Sequence, residues 1–212
     1  MSASGLVMAG IDVGGIKKGF HAVVLRNGTF EKTSSTEPAD VVNWCLDREA
    51  HTVAVDAPCG WSLSSSSRLA ERELARKKIY AFATPTRARA LSHKKGFYGW
   101  VFNGERLYHQ LAPYYPLFDG GLREGRICFE TLPHAIVCAL AGKVVPANPK
   151  NSRRRKILRE RGFDDDSLPN IDFIDAALCA VAAEEFCADR TMAFGNCDEG
   201  VIVVPKLDVS RA

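Results

Sequence analysis

The 212-residue sequence has no apolar run approaching the roughly 18 residues a membrane-spanning helix needs. Met1 to Gly5 has neither the basic nor the apolar block of a secretory leader, so a soluble, cytoplasmic chain with no membrane partner is expected. The seven cysteines (45, 59, 128, 138, 179, 187 and 197) form no C-x-x-C pair, are odd in number and mostly lie in apolar stretches. A zinc site and a disulfide framework are therefore not expected, and buried reduced thiols are. The chain has no dinucleotide fingerprint, no Walker sequence and no internal repeat, and its low complexity is confined to Ser64–Ser67. His21, His51, His93 and His109 show no ligand spacing, and no Ser-His-Asp or Cys-His arrangement follows from the order of residues.

Hydrophobic residues at 46% and charged residues at 25% describe an ordinary globular composition, enough for a single domain over 1–212. The net charge of +3 conceals a segregation along the chain. Residues 65–161 carry 20 Lys/Arg against 7 Asp/Glu, or +13, while the remainder has 8 against 18, or −10. A basic middle in an acidic frame suits a molecule that attracts a polyanion and gathers carboxylates elsewhere; solvated helix faces would give the same count.

Local patterns suggest an α/β fold. Residues 6–11 are an apolar run stopped by Asp12 and Gly14-Gly15; 20–25 is a second run, and Asn27-Gly28 marks a hairpin into 29–34. A helix over 38–48 then leads to a strand at 52–55, which implies a parallel crossover. The stretch 60–126 loses periodicity and reads as a mainly helical and loop insertion or lid. A short strand at 127–129, helices at 133–141, 150–161 and 171–187, and an edge strand at 201–205 complete the chain.

Asp12, Asp56 and Glu130 each follow an apolar strand. On adjacent strands about 4.8 Å apart, three such acids fall within roughly 10 Å of one another. Alone they would repel and raise their own pKa values, whereas Mg²⁺ or Mn²⁺, hard ions that favour carboxylate oxygen, would relieve the repulsion. Asp172 and Asp175 are the only charged residues between Ile171 and Ala183 and share a helix face, whose continuation through Cys179, Ala182 and Phe186 is apolar. Their placement in a first helical turn, where the dipole favours acids, is the competing structural explanation.

The succession Gly10-Ile11-Asp12-Val13-Gly14, Val55-Asp56-Ala57-Pro58, Glu130-Thr131-Leu132-Pro133 and Asp172-Phe173-Ile174-Asp175-Ala176 resembles the family called domain of unknown function 429, whose members are described as nucleases of the ribonuclease H-like fold. The likeness spans nearly the whole chain, and the Asp-x-x-Asp-Ala step also looks like the last motif of bacterial Holliday-junction resolvases. The resemblance implies a mixed five-stranded sheet of order 3-2-1-4-5 flanked by helices. It implies Asp12, Asp56 and Asp175 as metal ligands, with Asp172 assisting and Glu130 among the catalytic acids. Where many members carry an acid after the proline, this chain has His134.

A metal-dependent nuclease using two ions on these carboxylates is the leading expectation. Arg153, Arg154, Arg155 and Lys156, with Arg68, Arg72, Arg76, Lys77 and Lys78, would meet the phosphates of a nucleic-acid partner. Tyr98, Trp100 and Tyr108 would either stack on bases or form local core. A homodimer is the expected state of a junction-cutting enzyme. Two alternatives stay open: an actin-like or sugar-kinase-type phosphate loop at Asp12-Val13-Gly14-Gly15, and a non-catalytic nucleic-acid-binding module of the same fold.

Overall fold

The computed structural model describes residues 5–206 apart from 65 and 95. The first strand, β1 (Val7–Val13), lies inside the sheet and is buried along its whole length. It pairs antiparallel with β2 (Phe20–Arg26), which pairs antiparallel with β3 (Thr29–Ser35). The β2–β3 connection is the two-residue Asn27-Gly28 turn, with φ of 51° and 79°; this left-handed pair matches the strand twist, and Gly28 enters it without strain.

Helix α1 (Pro38–Asp47), started by a proline whose missing N–H would have been unpaired anyway, crosses to β4 (Ala50–Asp56), parallel to β1. Between β4 and β5 (Ile127–Glu130) lie α2 (Leu69–Arg76), α3 (Arg87–Leu91) and α4 (Gly99–Leu111). Helices α5 (Pro133–Leu140), α6 (Lys150–Glu160) and α7 (Ile171–Cys187) follow, and the hairpin β6 (Thr191–Asn196) to β7 (Gly200–Pro205) closes the order.

The sheet has seven strands in the order β3-β2-β1-β4-β5-β7-β6, so the five-stranded expectation is corrected, although 3-2-1-4-5 runs through it. Residues 201–205 are not an edge: β7 lies inside, between β5 and β6. Strand β6 escaped notice because its sequence, TMAFGN, alternates poorly, with Gly195 interrupting the run.

Strand alternation sends Val7, Ala9, Ile11 and Val13 to one face, against α1 and α4, and Met8 to the other, where α5, α6 and α7 pack. No helix among the described residues is long and apolar enough to cross a membrane.

On the second face α7 touches the backbone of β1. A Cβ placed on Gly10 would stand 2.0 Å from the Ala176 carbonyl oxygen, 2.3 Å from the Ala180 nitrogen and 2.7 Å from Cys179 Cβ. Only glycine admits that approach, and the facing row of α7 is correspondingly small. Gly10→Ala is expected to destabilise by about 1–3 kcal/mol or more in urea denaturation, the range for overpacking. Gly15→Ala, which meets no atom within 4 Å, should stay within about 0.5 kcal/mol.

Candidate metal and phosphate site

Asp12 and Asp56 are register partners at the ends of parallel β1 and β4, so both side chains leave the sheet on the α7 face. Asn170 caps α7, its Oδ1 accepting from the backbone N–H groups of Asp172 and Phe173, each at 3.1 Å. That fixes the first turn, and the contact at Gly10 sets its depth. Asp175 comes to rest with a carboxylate oxygen within 4.8 Å of oxygens of Asp12 and Asp56. Asp12 also belongs to a second group of the same span, with Asp172 and His21.

Asp12 and Asp175 are each 8% exposed, and Asp56 is half-buried. Among the described residues none donates a hydrogen bond to Asp12 or Asp56. Asp175 accepts from the buried Arg154 of α6, and Asp172 accepts from Lys18 Nζ at 2.7 Å. Burial, then the charges of Asp175 and Asp172, push Asp12 up to about 7. Burial raises Asp175 to about 6 despite Arg154, and burial together with Asp12 and Asp175 raises Asp56 well above the carboxylate range. Desolvated acids lacking donors fit a divalent cation: their oxygens are hard ligands, and the ion would supply the missing counter-charge.

A cavity of about 480 Å³ opens beside these acids. Lys150 and Arg154 supply its cationic wall and Tyr80 and Phe82 an aromatic one, with His134 on the same lining. Burial, then Arg154, Arg153 and Lys150, lower the His134 pKa, so its ring is neutral at pH 7. From the opposite side α4 pins the loops that carry the acids: Asn103 Nδ2 donates to Gly14 O at 3.0 Å, and the Tyr108 hydroxyl to Ala57 O at 3.0 Å. Tyr108 is thus structural. Trp100 and Tyr98 pack edge-on against Phe82, with ring centroids at 5.0 and 6.0 Å.

Glu130 does not join the cluster. Its register partner is Val55, one residue short of Asp56, and a one-residue offset sends a side chain through to the other face. There it meets Arg68, only 1% exposed, whose Nη1 and Nη2 donate to the two carboxylate oxygens at 2.8 and 2.6 Å. Cys59 N adds a third bond at 2.8 Å. Arg68 also donates to Glu71 at 2.9 Å, and Glu71 accepts from Thr84 N at 2.8 Å. The expectation that Arg68 meets phosphate is therefore corrected: its fork is spent inside the protein.

The other basic residues divide. Arg155 is held by Asp165 Oδ2 at 2.7 Å and Leu168 O at 2.7 Å, and Arg153 by Pro146 O. Lys156 is exposed, 3.6 Å from Glu160. Arg72 donates to Ser67 O and lies 3.9 Å from Glu199, while Arg76, Lys77 and Lys78 are exposed on and just past α2. Of the expected phosphate contacts, Arg154 alone lines the cavity.

Lys18, Lys150 and His21 were missed by sequence reading. The hairpin register, which sets His21 opposite Asp12, was the available signal for His21. Lys150 had none, because it reaches the cavity only through the placement of α6.

These features define a mixed α/β protein with an acid cluster where its parallel strands end. The family described as "Protein of unknown function (DUF429)" matches residues 10–199, and the chain belongs to it. Two solved structures are similar to the chain. The Thermus thermophilus RuvC structure has 18% identity and a TM-score of 0.43, covering 87% of this chain and 97% of that one. T. thermophilus RuvC in complex with Holliday junction substrate has 19% identity and a TM-score of 0.41, covering 83% and 91%. No curated protein matches the chain.

Two outcomes follow from this electrostatic arrangement. A carboxylate whose folded pKa is raised stabilises the fold fully below its unfolded value near 4 and loses that contribution as pH climbs through the folded value. Without metal, Asp12→Asn should therefore melt higher than the parent at pH 8, with the gap closing toward pH 5; added Mn²⁺ should raise the melting temperature of the parent alone. On the other face, Arg68→Met leaves Glu130 buried and unpaired and should cost about 3–5 kcal/mol in chemical denaturation.

Proposed function

We propose that the chain is a metal-dependent nuclease that hydrolyses phosphodiester bonds. Asp12, Asp56 and Asp175 would hold a hard divalent ion, Mg²⁺ or Mn²⁺, with Asp172 beside them. The observation that carries this reading is the convergence of three carboxylates from three separate elements, Asp12 and Asp175 buried and Asp56 half-buried, with no donor to Asp12 or Asp56 among the described residues. Such an ion, when bound, lowers the pKa of water and offsets charge building on a phosphate.

The rest is work for the chain's own side chains. Arg154 and Lys150 stand where a phosphate entering the cavity would meet two cations. Neutral His134 can accept a proton from the attacking water. Tyr80 and Phe82 offer ring faces to a base on the far wall, a contact that tolerates any sequence.

The phosphate-loop alternative is disfavoured. The Gly14 carbonyl is tied to Asn103, and the Lys18 ammonium is engaged by the Asp172 carboxylate at the edge of the cavity. A non-catalytic module of the same fold would have no use for desolvated acids left without partners.

The test is incubation of the pure protein with single-stranded, duplex and branched substrates in Mg²⁺ or Mn²⁺. Cleavage of at least one is expected, reduced to background in Asp12→Asn and in Asp175→Asn. Equal product from those variants, or no product across the panel, overturns the reading.

A further inference from the structure

Lys18 belongs to none of the chemistry assigned above, yet its position is closely prepared. The β1–β2 turn is locked by backbone bonds from Gly14 N to Gly19 O at 2.8 Å and from Lys18 N to Gly15 O at 2.9 Å, and α4 holds it through Asn103. The lysine stem runs back over Gly14: a Cβ there would stand 2.7–2.8 Å from Lys18 Cβ, Cγ and Cδ, so only glycine leaves the track open. The ammonium ends 2.7 Å from Asp172 Oδ1, next to the group formed by Asp12, Asp172 and His21.

That group adjoins the Asp12–Asp56–Asp175 cluster through the shared Asp12, the relation a two-ion carboxylate site requires. Charge weighs against filling both places with metal. The four carboxylates carry a formal −4, and the two cations ion-paired within the cluster, Lys18 on Asp172 and Arg154 on Asp175, leave −2, which one divalent ion balances.

We propose that Lys18 is the resident second cation of this site: the chain binds one divalent ion, and the Lys18 ammonium takes the place beside Asp172 that a second ion would fill. This rests on the metal-dependent reading above and changes its stoichiometry. Lys18 is half exposed, so replacing it should leave the core intact.

The experiment counts Mn²⁺ bound per chain, by calorimetry and by the electron paramagnetic resonance of free ion, in the intact protein and in Lys18→Met, Lys18→Arg and Lys18→Met/Asp172→Asn. One ion is expected in the parent and in Lys18→Arg, two in Lys18→Met, and one again in the double variant. Two ions in the parent, or one in both the parent and Lys18→Met, overturns the role of Lys18 and leaves the metal site standing. Lack of binding by the parent overturns both.

Discussion

The absence of one side chain governs the geometry. Gly10 lets α7 settle onto the backbone of β1, and every feature of the acid cluster depends on that depth: a methyl group there would push the helix outward, and Asp175 and Asp172 with it. Carboxylates on separate elements converge only if the elements do. The contact also explains why α7 is so rich in alanine, since Ala176, Ala177, Ala180 and Ala183 are all fully buried.

Desolvation and repulsion then act on acids that the fold has forced together. The fold tolerates this at one edge because it compensates elsewhere. On the opposite face, Glu130, Arg68 and Glu71 form a buried network in which each charge meets an opposite one, so that those acids are satisfied structurally while Asp12 and Asp56 are not. Two acid groups of similar sequence context thus have opposite characters, and a single step of strand register separates them.

Much of this was legible in the residues. Apolar runs stopped by acids placed β1, β4 and β5, the Asn27-Gly28 pair placed the hairpin, and the uninterrupted apolar stretch with Asp172 and Asp175 at its start placed α7. Convergence of Asp12, Asp56 and Asp175 follows from parallel strands and a helix starting at their shared edge. The face taken by Glu130 was not legible, because register across a crossover is set by packing and not by the run itself. Nor could composition say which arginines reach the acid edge: Arg154 and Arg155 sit side by side in a basic run, yet one pairs with Asp175 on the cavity wall and the other is bound to Asp165, a choice made by helix phase. Strand β6 was hidden because only Thr191 and Phe194 of its six residues are buried, a spacing that leaves no alternation.

The Glu199 carboxylate, in the last hairpin, accepts from Leu63 N at 2.9 Å and Leu69 N at 2.7 Å, contacts separated by 136 and 130 positions along the chain. Segments made early therefore wait for one made late. The loop before α2 is already held by earlier segments, through Cys59 N to Glu130 and Trp61 Nε1 to Glu105, but its contacts with Glu199, and the meeting of the acids at 12 and 56 with Asp175, come only when later elements dock. The crowding of acids at this edge, and the raised pKa values it brings, are therefore completed late in the order of the polypeptide, when α7 docks on strands already paired.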